Sequence, residues 1–337
     1  MQSGGMQPRS RAAAVSRPSP ARQCSRRVAA AVLCLVAVAP FGCSTNRDPS
    51  AFFAPNDVGT LMVDAILIVG KPLPRVLVTR ALSPAEPYSP DAAAERNASV
   101  QVQELPGGPV VEYLETAGAG VYVPSPTPSL TVRPNTTYAL TVITDGGELV
   151  RAQTTTPGGF AVDHWFLLDD LGQDVRREFA TFTARGDSVY GDNQVVYADG
   201  LLEARFVRPD VVAFQIGVFS LDPDSDFVIE PEFFDPEDFD AIDRQESSPA
   251  LEALDGKLRL PWFTIFFQGR YKIRILALDA NASDWVRSNP QDDAGLSFGG
   301  TLGDNFERPV FHVEGGIGLF GSASADSIGF FVQPRPE

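Results

Sequence analysis

LTVRPNTTYALTV, residues Leu130–Val142, reads as a turn that feeds a strand. Pro134-Asn135 supplies the turn, and Tyr138 opens the extended run behind it. A tyrosine so placed can turn its hydroxyl back to an upstream backbone group, the tyrosine corner of immunoglobulin-like sandwiches. The plainer alternative is a tyrosine that only packs. Downstream, Asp145-Gly146-Gly147 is a hairpin turn into Leu149–Thr155. Upstream, Val63–Val69 and Arg75–Thr79 are short, β-branched and bounded by Gly or Pro. Ser99–Gln103 alternates apolar and polar with period two, which gives a strand with one wet face. Gly107-Gly108 turns into Val110–Leu114, and Gly118 and Gly120 precede Val121–Val123. Short strands at this density, with almost no helical period, predict an immunoglobulin/fibronectin-III-like β-sandwich over 60–157.

Pro157-Gly158-Gly159 punctuates the chain and predicts a boundary. Beyond it, strands are expected at Ala161–Leu168, Phe179–Ala184, Ser188–Tyr190, Leu202–Arg208 and Val211–Phe219. Leu258–Phe267 and Arg270–Leu278 read as a hairpin through Gln268-Gly269. Asp279–Arg287 is the best helix, with Asp279 as N-cap and Trp285 facing inward. Val310–Glu314, Ile317–Phe320 and Ile328–Val332 close the chain as strands. The expected fold is therefore all-β: the N-terminal sandwich, then a second mostly-β domain over 160–337, sandwich or partly open barrel, with one short helix.

The N-terminus has the three parts of an export signal. Six arginines and no acid precede Cys43, and Val28–Pro40 is a 13-residue apolar run. That run is too short to span a bilayer, which takes about 20 apolar residues. Gly42 is the small residue wanted before a lipidated cysteine, so 1–42 reads as a lipoprotein signal peptide, Cys43 as the acylated residue and 43–59 as a tether. A plain secreted protein is the alternative. Ser25-Arg26-Arg27 leaves twin-arginine export open, and Met6 or a later codon is an alternative start. Cys24 and Cys34 leave with the leader, so the mature chain has neither a disulfide nor a free thiol. It then holds 21 basic against 43 acidic residues. Such a surface repels phosphate backbones, which argues against a nucleic-acid partner. Ser44, not aspartate, after the anchor favours the outer membrane in a Gram-negative envelope.

Candidate chemistry is sparse. Asp222–Glu246 carries 11 acids against one arginine, with Phe227, Phe233, Phe234 and Phe239 interleaved. Asp222, Asp224 and Asp226 start like a calcium loop, and Glu230 falls at a usable position. An EF-hand fails, because Phe227 stands where the sixth position needs Gly and Phe233 where the twelfth needs Glu. A looser Ca²⁺ cage competes with a solvated acidic loop pinned by its phenylalanines. His164 and His312 could meet in space, with Asp163, Asp169 or Glu314 beside them, but no metal-ligand spacing supports that. There is no G-x-S-x-G turn. Trp165, Trp262 and Trp285 are candidates for stacking on sugars. Glu314–Gly321, EGGIGLFG, lacks the Lys-Ser/Thr of a phosphate loop and reads as a strand whose glycines allow a bulge or close backbone approach.

Four segments together resemble the bacterial lipoproteins of domain-of-unknown-function family 4249. They are LMVDAILIVGKPLPRVLVTRALSP behind Cys43; ASVQVQEL with AGAGVYVPSPTPSLTVRPNTTYALTV; LDGKLRLPWFTIFFQGRYKIRILALDANASDWVRS; and FERPVFHVEGGIGLFGS. The resemblance covers most of Leu61–Ser322 and implies an extracytoplasmic, outer-membrane-associated protein. It carries no catalytic residues over. The expected function is a lipid-anchored binding or accessory module of the outer envelope, serving nutrient uptake or envelope organisation, with the membrane and an outer-membrane transport or envelope protein as partners. The alternatives are a Ca²⁺-dependent extracellular hydrolase and a glycan-binding protein. No cofactor is expected beyond that Ca²⁺.

Overall fold

The computed structural model describes residues 58–83, 87–116, 118–125, 130–169, 171–196, 200–207, 210–228, 242–253, 255–260, 265–288 and 309–334. Cys43, the leader, nearly all of the tether, Trp262 and Glu230 with most of the acidic stretch lie outside them. The first half is seven strands: β1 (Leu61–Ile68), β2 (Val76–Arg80), β3 (Ser99–Leu105), β4 (Val110–Glu115), β5 (Val121–Ser125), β6 (Thr137–Ile143) and β7 (Leu149–Thr155). A single helical turn, α1 (Pro90–Ala93), sits between β2 and β3. Then come β8 (His164–Leu168), β9 (Val175–Glu178), α2 (Phe182–Arg185), α3 (Val189–Asp192), β10 (Gln194–Val196), β11 (Leu202–Arg205), β12 (Ala213–Ser220), β13 (Gln245–Ser247), β14 (Lys257–Leu260) and β15 (Gly269–Leu278). The helix α4 (Ala280–Ser288), β16 (Val313–Glu314) and a 17-residue β17 (Ile317–Gln333) finish the chain.

The fold is all-β, as the period-two patterns require. In β7 the burial alternates residue by residue, with Val150, Ala152 and Thr154 inward. β1 to β7 curl around a core that includes Val63, Val100, Tyr122, Tyr138, Leu140 and Val142, an immunoglobulin-like sandwich. The Arg133 N–H donates to the Tyr138 hydroxyl at 2.9 Å, so the tyrosine corner forms. In the second half a four-stranded sheet, β14-β11-β8-β9, faces β12, β15 and β17 across a core of Trp165, Leu202, Ile216, Ile273, Ile275 and Phe330. The Phe267 N–H donates to the Tyr271 hydroxyl at 2.9 Å, a second corner that the sequence reading did not single out.

β17 joins the halves. Its first residues run parallel to β1, from Met62↔Ile317 to Ile68↔Ala323. From Ala323 onward it is antiparallel to β15, ending at Gly269↔Val332. Just before it, Glu314 pairs with Arg151 on β7. Both margins of the curled first half therefore meet one short segment, and neither margin pairs with the other directly. That segment is the glycine-dense EGGIG. A Cβ at Gly316 would lie 2.7 Å from the Leu61 carbonyl oxygen, and one at Gly318, where φ is +111°, 2.1 Å from that of Val63. Close backbone approach is thus the physical reason for these glycines.

Four expectations change, the first at Ser188–Tyr190, where the chain turns through a 3-10 turn into α3 and forms no strand. β17 is one strand, not two, because the small residues in SASADS remain in the ladder. β14 pairs with β11 and β15 with β12 and β17, so the expected hairpin through Gln268-Gly269 puts its arms in different sheets. Phe179–Ala184 is no strand: the Asn193 side chain bonds the Ala180 N–H and C=O, taking a neighbouring strand's place.

Helix α4 begins as expected. The Asp279 carboxylate accepts the Ala282 N–H at 2.9 Å, an N-cap. It also accepts the Ser322 N–H at 3.0 Å and the Thr154 hydroxyl, so one buried side chain ties α4, β17 and β7 together.

Two substitutions measure these constraints. Gly318→Ala is expected to cost about 3 kcal/mol or more, since it adds overpacking against backbone to a left-handed φ. Gly70→Ala, also at positive φ but with nothing within 4 Å of a Cβ, is expected to cost only about 1–2 kcal/mol. Equal losses in urea unfolding would refute the close-approach account. Tyr138→Phe is expected to cost about 1 kcal/mol by orphaning the Arg133 N–H.

Candidate functional site

β1 presents two faces of different kinds. Leu61, Val63, Ala65 and Leu67 point inward, while Met62, Asp64, Ile66 and Ile68 point out. An outward face with three apolar residues in four needs a cover. α4 supplies part of it, packing Ala282 and Val286 with Ile68, Leu276, Leu278 and Ala323. Gly321 makes room, because a Cβ there would stand 3.1 Å from the Ala282 Cβ.

Beside the helix the cover stops and a cleft of about 620 Å³ opens. Its floor is Met62 and Asp64 of β1, Leu77 and Thr79 of β2, and Leu319 of β17. Trp285 of α4 borders it, as do the segment Ala81–Ser83, Tyr88 and Ala93. Trp285 packs on Phe311 with ring centroids 5.7 Å apart, which fixes its ring. Tyr88 is 73% exposed. The size falls within the range of small-molecule sites, about 300–1,000 Å³.

Two charges border the cleft. Arg80 is spent: Glu95 and Glu148 both accept from its guanidinium, and the Gly59 carbonyl oxygen takes a third N–H at 2.8 Å. Asp64 is the opposite case. In the ladder it lies between Leu77 on one side and Leu319 on the other. Its carboxylate makes no hydrogen bond or ion pair with any described residue. Asp64 is exposed on the open side of the cleft, yet the protein around it still holds its carboxyl above the usual aspartate range, against the pull of the Arg75 charge. The cleft is thus an apolar trough with one acid in its floor, unpaired among the described residues.

The residues singled out from sequence lie elsewhere. Asp222 is held by Arg270, through Nε at 2.9 Å, Nη2 at 2.6 Å and the backbone N–H at 2.7 Å. The Arg270 hydrogen bonds hold its carboxyl below the usual range. The oxygens of that loop already surround a cation. Arg244 donates to the Asp222 carbonyl at 2.8 Å, to the Ser225 hydroxyl and carbonyl at 3.0 Å each, and lies 3.8 Å from the centre of the Phe267 ring. The single arginine of the acidic stretch thus occupies its oxygen-lined turn. No group of three or more His, Cys, Asp or Glu side chains is placed to hold a metal among the described residues.

The histidines have separate partners. His164 Nδ1 lies 2.7 Å from Glu178 of β9, and His312 Nε2 lies 2.8 Å from Asp284 of α4. Asp163 accepts the Val207 N–H, and Asp169 accepts the Gln173 and Asp174 N–H groups of its own turn. Glu314 is in β16 opposite Arg151. Trp165 is 2% exposed in the second core, out of reach of a sugar. Trp285 alone of the described tryptophans borders an open cleft. Asp64 carried no motif. Its only trace in the sequence is one acid on the wet face of a strand whose other wet residues are apolar.

The model of the family described as Domain of unknown function (DUF4249) matches residues 49–328, and the chain belongs to that family. A search of the curated proteins finds no match.

The Asp64 environment sets a pH dependence with a definite sign. Its carboxyl binds a proton more tightly folded than unfolded, so its contribution to stability falls as pH rises from the ordinary aspartate range through the raised value. Asp64→Asn is expected to raise the melting temperature slightly at pH 7, with the difference closing below about pH 4. A lower melting temperature for the variant at pH 7 would show a hidden partner instead.

Proposed function

We propose that this member of the DUF4249 family is a lipid-anchored, extracytoplasmic binding module of the outer envelope, held to the membrane through acylated Cys43. Its role is accessory, in nutrient uptake or envelope organisation, and its ligand enters the cleft at β1, β2 and α4. The observation that carries the reading is that cleft: about 620 Å³, bordered by Trp285 and Tyr88, with the Asp64 carboxylate in its floor unpaired among the described residues. The shape suits recognition. General acid–base hydrolysis of a glycoside needs two converging carboxyl groups, and among the described residues the cleft lining contributes one, Asp64. The anchoring part rests on the leader before Cys43 and on Gly42 at the cut. Acylation with more than one chain makes such attachment firm.

Two measurements test the proposal. Palmitate labelling of cells is expected to mark the protein, and Cys43→Ser to abolish the label and move the protein out of the membrane fraction. A photo-crosslinking residue at Tyr88, on the cleft rim, is expected to give an adduct in intact cells. The same residue at Val207, 84% exposed and on the second half, is expected to give none. Label on the Cys43→Ser variant would remove the anchor. The absence of any adduct from Tyr88 would remove the binding role assigned to the cleft.

A further inference from the structure

We propose that the cleft takes a small amphipathic organic cation, an apolar or aromatic body carrying one ammonium or guanidinium group, with Asp64 as its counter-ion. The inference rests on the reading of the cleft as a ligand site and adds the chemical class of the ligand.

Charge complementarity selects the head group. Asp64 is flanked by Leu77 and Leu319; its carboxylate makes no hydrogen bond or ion pair with a described residue, and the Arg75 charge acts on it only from beyond ion-pair distance. Its carboxylate is exposed in the open cleft with apolar surface on both sides, so a cation that enters meets it directly and is shielded from water by its own apolar body. Arg80, the other charge on the lining, is already bonded to Glu95 and Glu148, so it neither neutralises Asp64 nor offers a free site to an anion. Trp285 and Tyr88 add aromatic rings at the rim. Ring faces attract cations and repel anions, by about 0.5–2 kcal/mol according to exposure. The whole chain, at net charge −16, draws cations to any of its clefts.

Shape selects the body. Met62, Leu77, Ala81, Leu82 and Leu319 line most of the trough, so a hydrated inorganic cation would leave apolar surface uncovered. One carboxylate is also too few ligands for Ca²⁺, which takes six to eight oxygens. The concave cleft suits a small molecule better than a flat protein face.

The test is calorimetric titration of the purified protein at pH 7 with 4-phenylbutylamine, 4-phenylbutanol and 4-phenylbutyrate, which share a body and differ in charge. The amine is expected to bind at least ~10-fold more tightly than the alcohol, about 1.4 kcal/mol, and the acid to bind most weakly. Asp64→Asn is expected to bring amine and alcohol within about 2-fold of each other, and Trp285→Ala to weaken the amine about 3- to 10-fold. Equal binding of all three probes, with Trp285→Ala weakening each, would leave the cleft a ligand site and overturn the cation. Binding of none, with the Tyr88 adduct retained in cells, would overturn the small-molecule class and spare the envelope reading. A lysine-bearing pentapeptide that outcompetes the amine would overturn the small-molecule class in favour of a protein partner. An amine preference untouched by Asp64→Asn would overturn Asp64 as counter-ion.

Discussion

The structure depends on backbone lying against backbone at Gly316 and Gly318. Main-chain carbonyls of Leu61 and Val63 stand where any side chain on those glycines would have to be. Gly315 is under the same constraint from the Leu149 carbonyl, where a Cβ would come within 2.2 Å. A strand can enter between β1 and β7 only because these positions carry no Cβ. Once there, it closes the first core with Phe320 and continues into the second with Ile328, Phe330 and Val332.

Much else follows from that one strand. Because β17 passes from β1 to β15, its polar residues can hold the connection between the halves. The Ser324 hydroxyl accepts the Phe160 N–H, and the Asp326 carboxylate accepts the Val162 N–H at 2.7 Å. Asp279 anchors α4 against β17 and β7, and Asn281 adds bonds to the carbonyls of Gln153 and Phe320. The helix is thereby held against β17, beside Ile68 on the outer face of β1. The cleft is what the helix leaves uncovered. Its position is a consequence of how α4 is tied down, and its charge is a consequence of one acid on an otherwise apolar wet face.

What was legible in the sequence was local. β1 to β7 follow from period-two patterns and turn residues, Tyr138 from its place behind Pro134-Asn135, and Asp279 from its place before a helical stretch. The glycines of EGGIG signalled close approach without saying to what. The rest depended on contacts far apart in the chain. The run SASADS looks like a break between strands because its polar side chains serve the backbone N–H groups at 160 and 162 and the Thr154 hydroxyl. Asp222 looks like a cation ligand until Arg270 is placed on it, and the oxygen-lined turn looks open until Arg244 fills it. Asp64 becomes notable only when Leu319 and Trp285, both distant in sequence, are set around it.

If β17 is the common spine, residues 61–155 and 160–333 share one cooperative unit although each has its own core. Native-state hydrogen exchange followed by mass spectrometry across a urea series measures this directly. The account predicts that amides of β1, of β15 and of both ends of β17 lose protection together, with one midpoint and one slope. Loss of protection in β1 and the first residues of β17 at lower urea, while β15 and the far end of β17 stay protected, would contradict it.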